Sequence, residues 1–336
     1  MVESLTPSPA PGNDALPIAL ADVQAAHARV RAAIVRTPLL RLRGPGIPET
    51  ASVWLKPENL QLTGSFKLRG AYNKLASLSA EERAHGVIAY SSGNHAQGVA
   101  CAAHLLGIHT TIVMPEDAPP VKLAATRGWG ADVVLCAPGS EARRELAEAL
   151  QREHGYVLVP PYDDPLIMAG QGTATLEILE DLPDLDLLVL PCGGGGLLSG
   201  NTTALKGLRP QARIIGVEPE LAADANASLA AGHIVQWTGA QTGRTVADGL
   251  RTQSVGQRPW QVISRLVDSL TTVSEAAILD GVRYLARYAH LVVEPSGAVP
   301  LAAVLSGQVD VTSGSVALLI SGGNIEPSAL AAILAG

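Results

Sequence analysis

The stretch Thr63-Gly64-Ser65-Phe66-Lys67-Leu68-Arg69-Gly70-Ala71 sets a lysine between a turn of small residues and a run with helical spacing. Val53-Trp54-Leu55-Lys56 precedes it and reads as a strand, since β-branched and aromatic residues suit a pleated, half-buried surface. Lys67 therefore falls just after a strand and at the opening of a helix. Alone, the segment describes a surface lysine, mildly disfavoured by the positive end of the helix dipole. Its neighbours along the chain change that reading.

Outward from Lys67 the sequence alternates. Strand-like apolar runs occur at residues 86–90, 110–114, 131–135 and 156–159, separated by helical spacing at 96–106, 121–127 and 140–153. A second series of strands is predicted at 187–190, 213–217, 291–294 and 316–320, with helices such as 171–180 and 276–288 between them. Residues 18–35 also have helical spacing, broken at Thr37-Pro38-Leu39, and Ser79 is positioned to cap a short helix. Strand–helix alternation implies right-handed βαβ units on parallel sheets, and two series imply two sheets and two domains. Ligands on such sheets bind at the carboxyl ends of the strands.

Composition narrows the functional classes. The chain has 336 residues, 47% of them apolar but only 3% aromatic, so small aliphatic residues and glycine pack the core. A formal charge of -7 gives no basic footprint for nucleic acid. No apolar stretch is long enough to span a bilayer. Cys101, Cys136 and Cys192 match neither a zinc spacing nor a disulfide framework and read as reduced core residues of a cytoplasmic protein. Residues 1–17, rich in proline and small residues without a basic start, read as a disordered leader rather than a signal peptide.

Four constellations sit just after predicted strands. Ser91-Ser92-Gly93-Asn94-His95 opens a helix, where backbone N–H groups suit a carboxylate; an ordinary helix cap is the equal alternative. Cys192-Gly193-Gly194-Gly195-Gly196-Leu197 lets successive N–H groups converge on a phosphate. It lacks the Lys-Ser/Thr of a nucleoside-triphosphate loop and the spacing of a dinucleotide fingerprint. Ser321-Gly322-Gly323-Asn324 holds a hydroxyl at a sheet end, where it meets a ligand nitrogen or simply forms a turn. Glu218, Ala222 and Asp224 form an acidic turn that suits a divalent cation or caps a helix.

In this order, Ser-Phe-Lys-Leu-Arg-Gly-Ala, Ser-Ser-Gly-Asn-His-Ala-Gln-Gly, the glycine loop and Ser-Gly-Gly-Asn closely resemble the fold-type II pyridoxal-phosphate enzymes. Among them the chain is similar to the threonine/serine dehydratase and serine racemase family. Ala169-Gly170-Gln171-Gly172-Thr173 and Val246-Ala247-Asp248-Gly249 extend the resemblance over nearly the whole chain. It implies two parallel-sheet, three-layer α/β domains of the tryptophan-synthase-β-like kind, with pyridoxal 5'-phosphate in the cleft between them. Residues 18–80 and 163–336 would form the large domain and residues 81–162 a small mobile one, with no C-terminal regulatory domain.

The resemblance also implies roles. Lys67 would bond covalently to the cofactor and later take the substrate α-proton. Phe66 would pack on the ring, Asn94 would hydrogen-bond its hydroxyl, and Ser321 would face its nitrogen. Gly193, Gly194, Gly195, Gly196 and Leu197 would hold the phosphate. Ser91, Ser92, Gly93, Asn94 and His95 would wrap the substrate carboxylate, with Tyr162 and Arg143 nearby. Glu218, Asp224 and the Ala222 carbonyl would bind Mg²⁺ or Ca²⁺. A neutral hydroxyl at the ring nitrogen makes a weaker electron sink than a carboxylate would, which favours expulsion of a β-leaving group. The implied activity is a threonine/serine ammonia-lyase acting as a homodimer. Serine racemase and threo-3-hydroxyaspartate ammonia-lyase are the alternatives: Ser92 stands where racemases carry their acid/base serine, whereas Pro161-Tyr162-Asp163 resembles the dehydratases. Strand–helix alternation alone would also permit a nicotinamide oxidoreductase, against which the missing dinucleotide fingerprint counts, and a non-catalytic binding protein would not require Lys67 or Ser321.

Overall fold

A computed structural model describes residues 15–91 and 93–336. The leader expected over residues 1–17 thus lies almost wholly outside the described residues, as does Ser92. Two sheets organise the chain. The larger has six strands in the order β1 (Leu40–Arg41), β2 (Ser52–Pro57), β10 (Ser315–Ile320), β7 (Leu187–Pro191), β8 (Arg213–Pro219) and β9 (Ser269–Val273). Only β1 runs antiparallel to its neighbour. The smaller sheet is all parallel, in the order β5 (Asp132–Cys136), β4 (Thr110–Pro115), β3 (Val87–Tyr90) and β6 (Val157–Leu158).

Both faces of the central strands are covered, which is why they read as continuous apolar runs. Val316, Leu318 and Ile320 of β10 enter one core cluster while Ala317 and Leu319 enter another on the opposite face. In the small sheet Val87 and Ala89 face one cluster and Ile88 the other. Ser79 caps the helix Ala80–His85 as its spacing predicts, with reciprocal bonds to Glu82 of 3.1 and 2.8 Å. The helix expected over residues 18–35 is shorter, Leu20–Val30, and that expected over 276–288 becomes Glu275–Tyr284 with a π turn at Leu285–Ala289.

One expected strand is not a strand. Residues 291–294 belong to no sheet; the strand beside β8 is β9, Ser-Leu-Thr-Thr-Val. The apolar run misleads because it crosses the ends of strands instead of lying among them. Leu291 and Val293 are buried, Val292 is 54% exposed, the Val292 carbonyl accepts from Asn59 Nδ2 at 3.1 Å, and Glu294 N donates to Gly322 O at 3.2 Å. Pro295 then starts the helix Pro295–Leu305. This crossing delivers Glu294 to the carboxyl ends of β2 and β10.

The helices that cover the large sheet approach very closely. A Cβ at Gly170 would run into Gly70, and one at Gly172 into Gly200. The Ala-Gly-Gln-Gly-Thr motif is therefore a packing seam: it lets the helix Pro165–Asp181 lie against both Lys67–Ala76 and Gly196–Leu208.

Candidate active site

The parallel register places the ends of β2, β10, β7 and β8 along one edge, and the motifs meet there. Ser65 pairs with Gly322 in an isolated antiparallel bridge, Phe66 N donates to Ser321 O at 3.1 Å, and Gly323 N donates to Gly64 O at 2.9 Å. The lysine segment and the Ser-Gly-Gly-Asn turn, far apart in sequence, are thus zipped together by backbone bonds.

Lys67 begins the helix Lys67–Ala76. Its Nζ donates to the Pro161 carbonyl at 2.8 Å and lies 5.2 Å from the centroid of the Phe66 ring. Burial of the ammonium lowers its pKa to about 8. A useful fraction is then neutral amine near neutral pH, which is the form that acts as nucleophile or base.

Asn94 starts the helix Asn94–Leu106 and is fixed at both ends of its amide. Asn324 Nδ2 donates to Asn94 Oδ1 at 2.8 Å and to Thr63 O at 2.8 Å, while Asn94 Nδ2 donates to Glu294 Oε1 at 2.6 Å. Glu294 is 2% exposed, and burial first, then the Asp248 charge, push its carboxyl up to about 8. Lys122 on the helix Pro120–Gly128 donates to Asp248 Oδ2 at 2.7 Å and reaches Gly93, where an added Cβ would lie 3.5 Å from its Nζ. Sequence reading singles out neither Lys122 nor Glu294. The signals available are weak: an Asp in Val-Ala-Asp-Gly, and a Glu before Pro-Ser-Gly that reads as a helix boundary.

His95 is 3% exposed and its Nε2 donates to Val159 O at 2.9 Å. Burial, aided by the Lys67 charge, drops its pKa to about 3, so the ring is neutral and ties its helix to the end of β6. Ser91 N donates to Val113 O, which ties the residue after β3 to β4, and Gly93 N donates to Ser91 Oγ at 3.2 Å.

The glycine loop leaves β7 and enters the helix Gly196–Leu208 through Gly195, whose φ of +88° suits glycine. A Cβ at Gly194 would strike the Tyr162 ring, and one at Gly195 would press on Val255, Pro259 and Ile263. Backbone alone can occupy this cup, at the positive end of a helix. Tyr162 covers it, its phenol raised to about 12 by burial and by the neighbouring Tyr90, Asp224 and Asp163. Asp163 itself accepts from Gln257 N and Arg258 N at 3.0 and 3.1 Å, which caps the helix Gln257–Leu266. Arg143 turns back to its own helix start, donating to Gly139 O at 3.1 Å, close enough to feel Cys136, Asp117 and Tyr90.

Glu218 and Asp224 are both fully buried. Glu218 accepts from Ala225 N at 3.0 Å and Asn226 N at 2.7 Å, yet burial and the Asp224 charge hold it far above the usual carboxylate range. Both Asp224 oxygens lack a well-formed hydrogen bond, and burial lifts that carboxyl to about 7. Two neighbouring buried carboxylates of this kind fit a divalent ion, which would supply their countercharge.

A half-buried amine of lowered pKa, a side-chain-free cup at a helix start, an aromatic ring beside the amine and an oriented amide fit an aldehyde cofactor bearing a phosphate and a ring. The family model for pyridoxal-phosphate dependent enzymes matches residues 30–322. The L-threo-3-hydroxyaspartate ammonia-lyase of Saccharomyces cerevisiae is 41% identical over 94% of this chain and 96% of that enzyme. The crystal structure of the T.th. threonine deaminase superposes with a TM-score of 0.86 and 46% identity, covering 92% of this chain and 99% of that one. Maize serine racemase gives a TM-score of 0.87 at 35% identity, covering 94% and 96%. The fold expected from the motifs is therefore the one observed, and the chain belongs to the family of pyridoxal-phosphate dependent enzymes.

Proposed function

We propose that the protein is an ammonia-lyase that converts L-threonine to 2-oxobutyrate and L-serine to pyruvate, releasing ammonia. When bound, pyridoxal phosphate supplies an electron sink for the bond electrons of the substrate α-carbon. Lys67 carries the cofactor and, as a neutral amine, takes the α-proton. The loop Ser91-Ser92-Gly93-Asn94-His95 wraps the substrate carboxylate. Gly193, Gly194, Gly195, Gly196 and Leu197 hold the cofactor phosphate, and Asn94, its amide oriented by Asn324 and Glu294, holds the ring hydroxyl. Ser321 offers the ring nitrogen a neutral partner. The β-hydroxyl leaves with a proton as water, and the released enamine hydrolyses to the 2-oxo acid and ammonium. Residues 81–162 close on the large domain and exclude water.

The observation that carries this reading is the amine of Lys67, lowered to about 8, on a segment bonded directly to the Ser321 turn. Relatives named for threonine and for threo-3-hydroxyaspartate support the elimination chemistry. The deciding experiment compares 2-oxo acid formation from L-threonine, L-serine and L-threo-3-hydroxyaspartate. Threonine turnover with ammonia release supports the proposal. Exclusive turnover of hydroxyaspartate would move the assignment to that substrate, and D-serine forming faster than pyruvate would move it to a racemase.

Glu218, Asp224 and the Ala222 carbonyl hold Mg²⁺ or Ca²⁺ in this proposal, and the protein works as a cytoplasmic homodimer. Among the described residues no helix is long and apolar enough to cross a membrane.

A further inference from the structure

Two residues beyond Lys67, four charged side chains are buried together. Arg69 donates from Nε and Nη2 to Glu58 at 2.7 and 2.8 Å, and from Nη1 and Nη2 to Glu177 at 2.7 and 2.8 Å. Its Nη1 also reaches Thr173 Oγ1 at 3.2 Å. Lys56 donates to Glu177 Oε2 at 2.6 Å and to Thr37 O at 2.7 Å, and Thr37 Oγ1 donates to Glu58 at 2.6 Å. Arg69, Lys56 and Glu58 are 0% exposed and Glu177 is 1% exposed. Two cations and two anions make the group neutral.

Stability alone does not account for it. Removing four charges from water is costly, and apolar residues of similar volume often serve a core equally well. What distinguishes the quartet is where its members sit. Arg69 lies on the helix that begins at Lys67. Lys56 lies on β2 opposite Leu319 of β10, the strand that Ser321 directly follows. Glu58 follows β2 directly, and Glu177 is on the helix Pro165–Asp181, which starts just after Pro161, the acceptor of the Lys67 ammonium.

We propose that Lys56, Glu58, Arg69 and Glu177 are positioning residues for Lys67, fixing the depth and rotation of its helix against both the Ser321 turn and the Pro161 carbonyl. A planar guanidinium forked onto two carboxylates sets rotation as well as distance, which a lysine ammonium cannot do. The proposal rests on Lys67 being the lysine that bonds the cofactor.

The test uses full-length protein freed of cofactor. It follows capture of added pyridoxal phosphate by absorbance, maps the borohydride-trapped lysine by mass spectrometry, and monitors folding by circular dichroism. Arg69→Lys, at a temperature where it is fully folded, should capture at least about tenfold more slowly, the scale on which small misplacements act. A lower melting temperature with capture at the wild-type rate would overturn the proposal and leave a stability role. Should Arg69→Lys not fold, Lys56→Met/Glu177→Gln keeps both neutrality and the Arg69–Glu58 fork. It should capture slowly, and wild-type capture would again overturn the proposal. Trapping of a lysine other than Lys67 in the unaltered protein would instead remove the reading on which the proposal rests.

Discussion

Asn94 and Glu294, 200 positions apart in sequence, are joined by a 2.6 Å hydrogen bond from the Asn94 amide to a carboxyl that burial holds near pKa 8. Glu294 faces Asp248 and Lys122 as well as Asn94, and only the first of these disfavours its ionised form. An unfolded glutamate titrates near 4.3. Between about pH 4.5 and pH 8 the folded protein therefore binds more protons than the unfolded one, so this group makes stability fall as pH rises.

Glu294→Gln should flatten that slope. Melting temperatures measured across this range should decline less steeply with pH than in the unaltered protein. A residual slope should persist because Asp224, raised to about 7, acts in the same direction. Identical slopes would mean that Glu294 ionises normally in the fold.

Gly194→Ala should weaken cofactor retention, because the new methyl meets the Tyr162 ring. Overpacking of this kind costs about 1–3 kcal/mol. Adding Tyr162→Ala should recover part of the loss, a non-additivity readable as pyridoxal phosphate release rates. Full retention in Gly194→Ala would show that the cup does not hold the phosphate.

Saturating Mg²⁺ or Ca²⁺ should raise the melting temperature, since a ligand at a hundred times its dissociation constant adds about 2.7 kcal/mol. A chelator should reverse the gain, and Asp224→Asn should be insensitive to both. A melting temperature indifferent to cation and chelator would leave Glu218 and Asp224 as a buried acidic turn.

Ser92→Ala separates elimination from racemisation. Production of 2-oxobutyrate from L-threonine should stay largely intact while any D-serine formation disappears. Equal loss of both would make Ser92 a ligand of the substrate carboxylate and nothing more.

Sequence alone reaches most of this architecture because the central strands are apolar on both faces and the chemistry follows each strand end directly. Leu187–Pro191 and Ser315–Ile320 announce themselves, and so do the glycines after Pro191 and the serine after Ile320. Ser269–Val273 does not, since a half-buried edge strand of Ser and Thr carries little hydrophobic signal. Residues 291–294 mislead in the opposite sense: an apolar run buried by crossing strand ends looks like a strand. Glu294, Lys122 and the Arg69 quartet escape for a common reason. Their meaning lies in partners 11 to 200 positions distant, and a charged residue reads as exposed until its partner is known.

The central claim is that Lys67 bonds the cofactor and removes the α-proton. Borohydride reduction of the holoenzyme followed by peptide mapping should find the pyridoxyl group on Lys67. Lys67→Ala should be colourless and lose at least about a thousandfold in 2-oxobutyrate formation from L-threonine, the scale expected when a nucleophile and base are both removed. A label on another lysine, or a Lys67→Ala protein that still turns over threonine, would contradict the account.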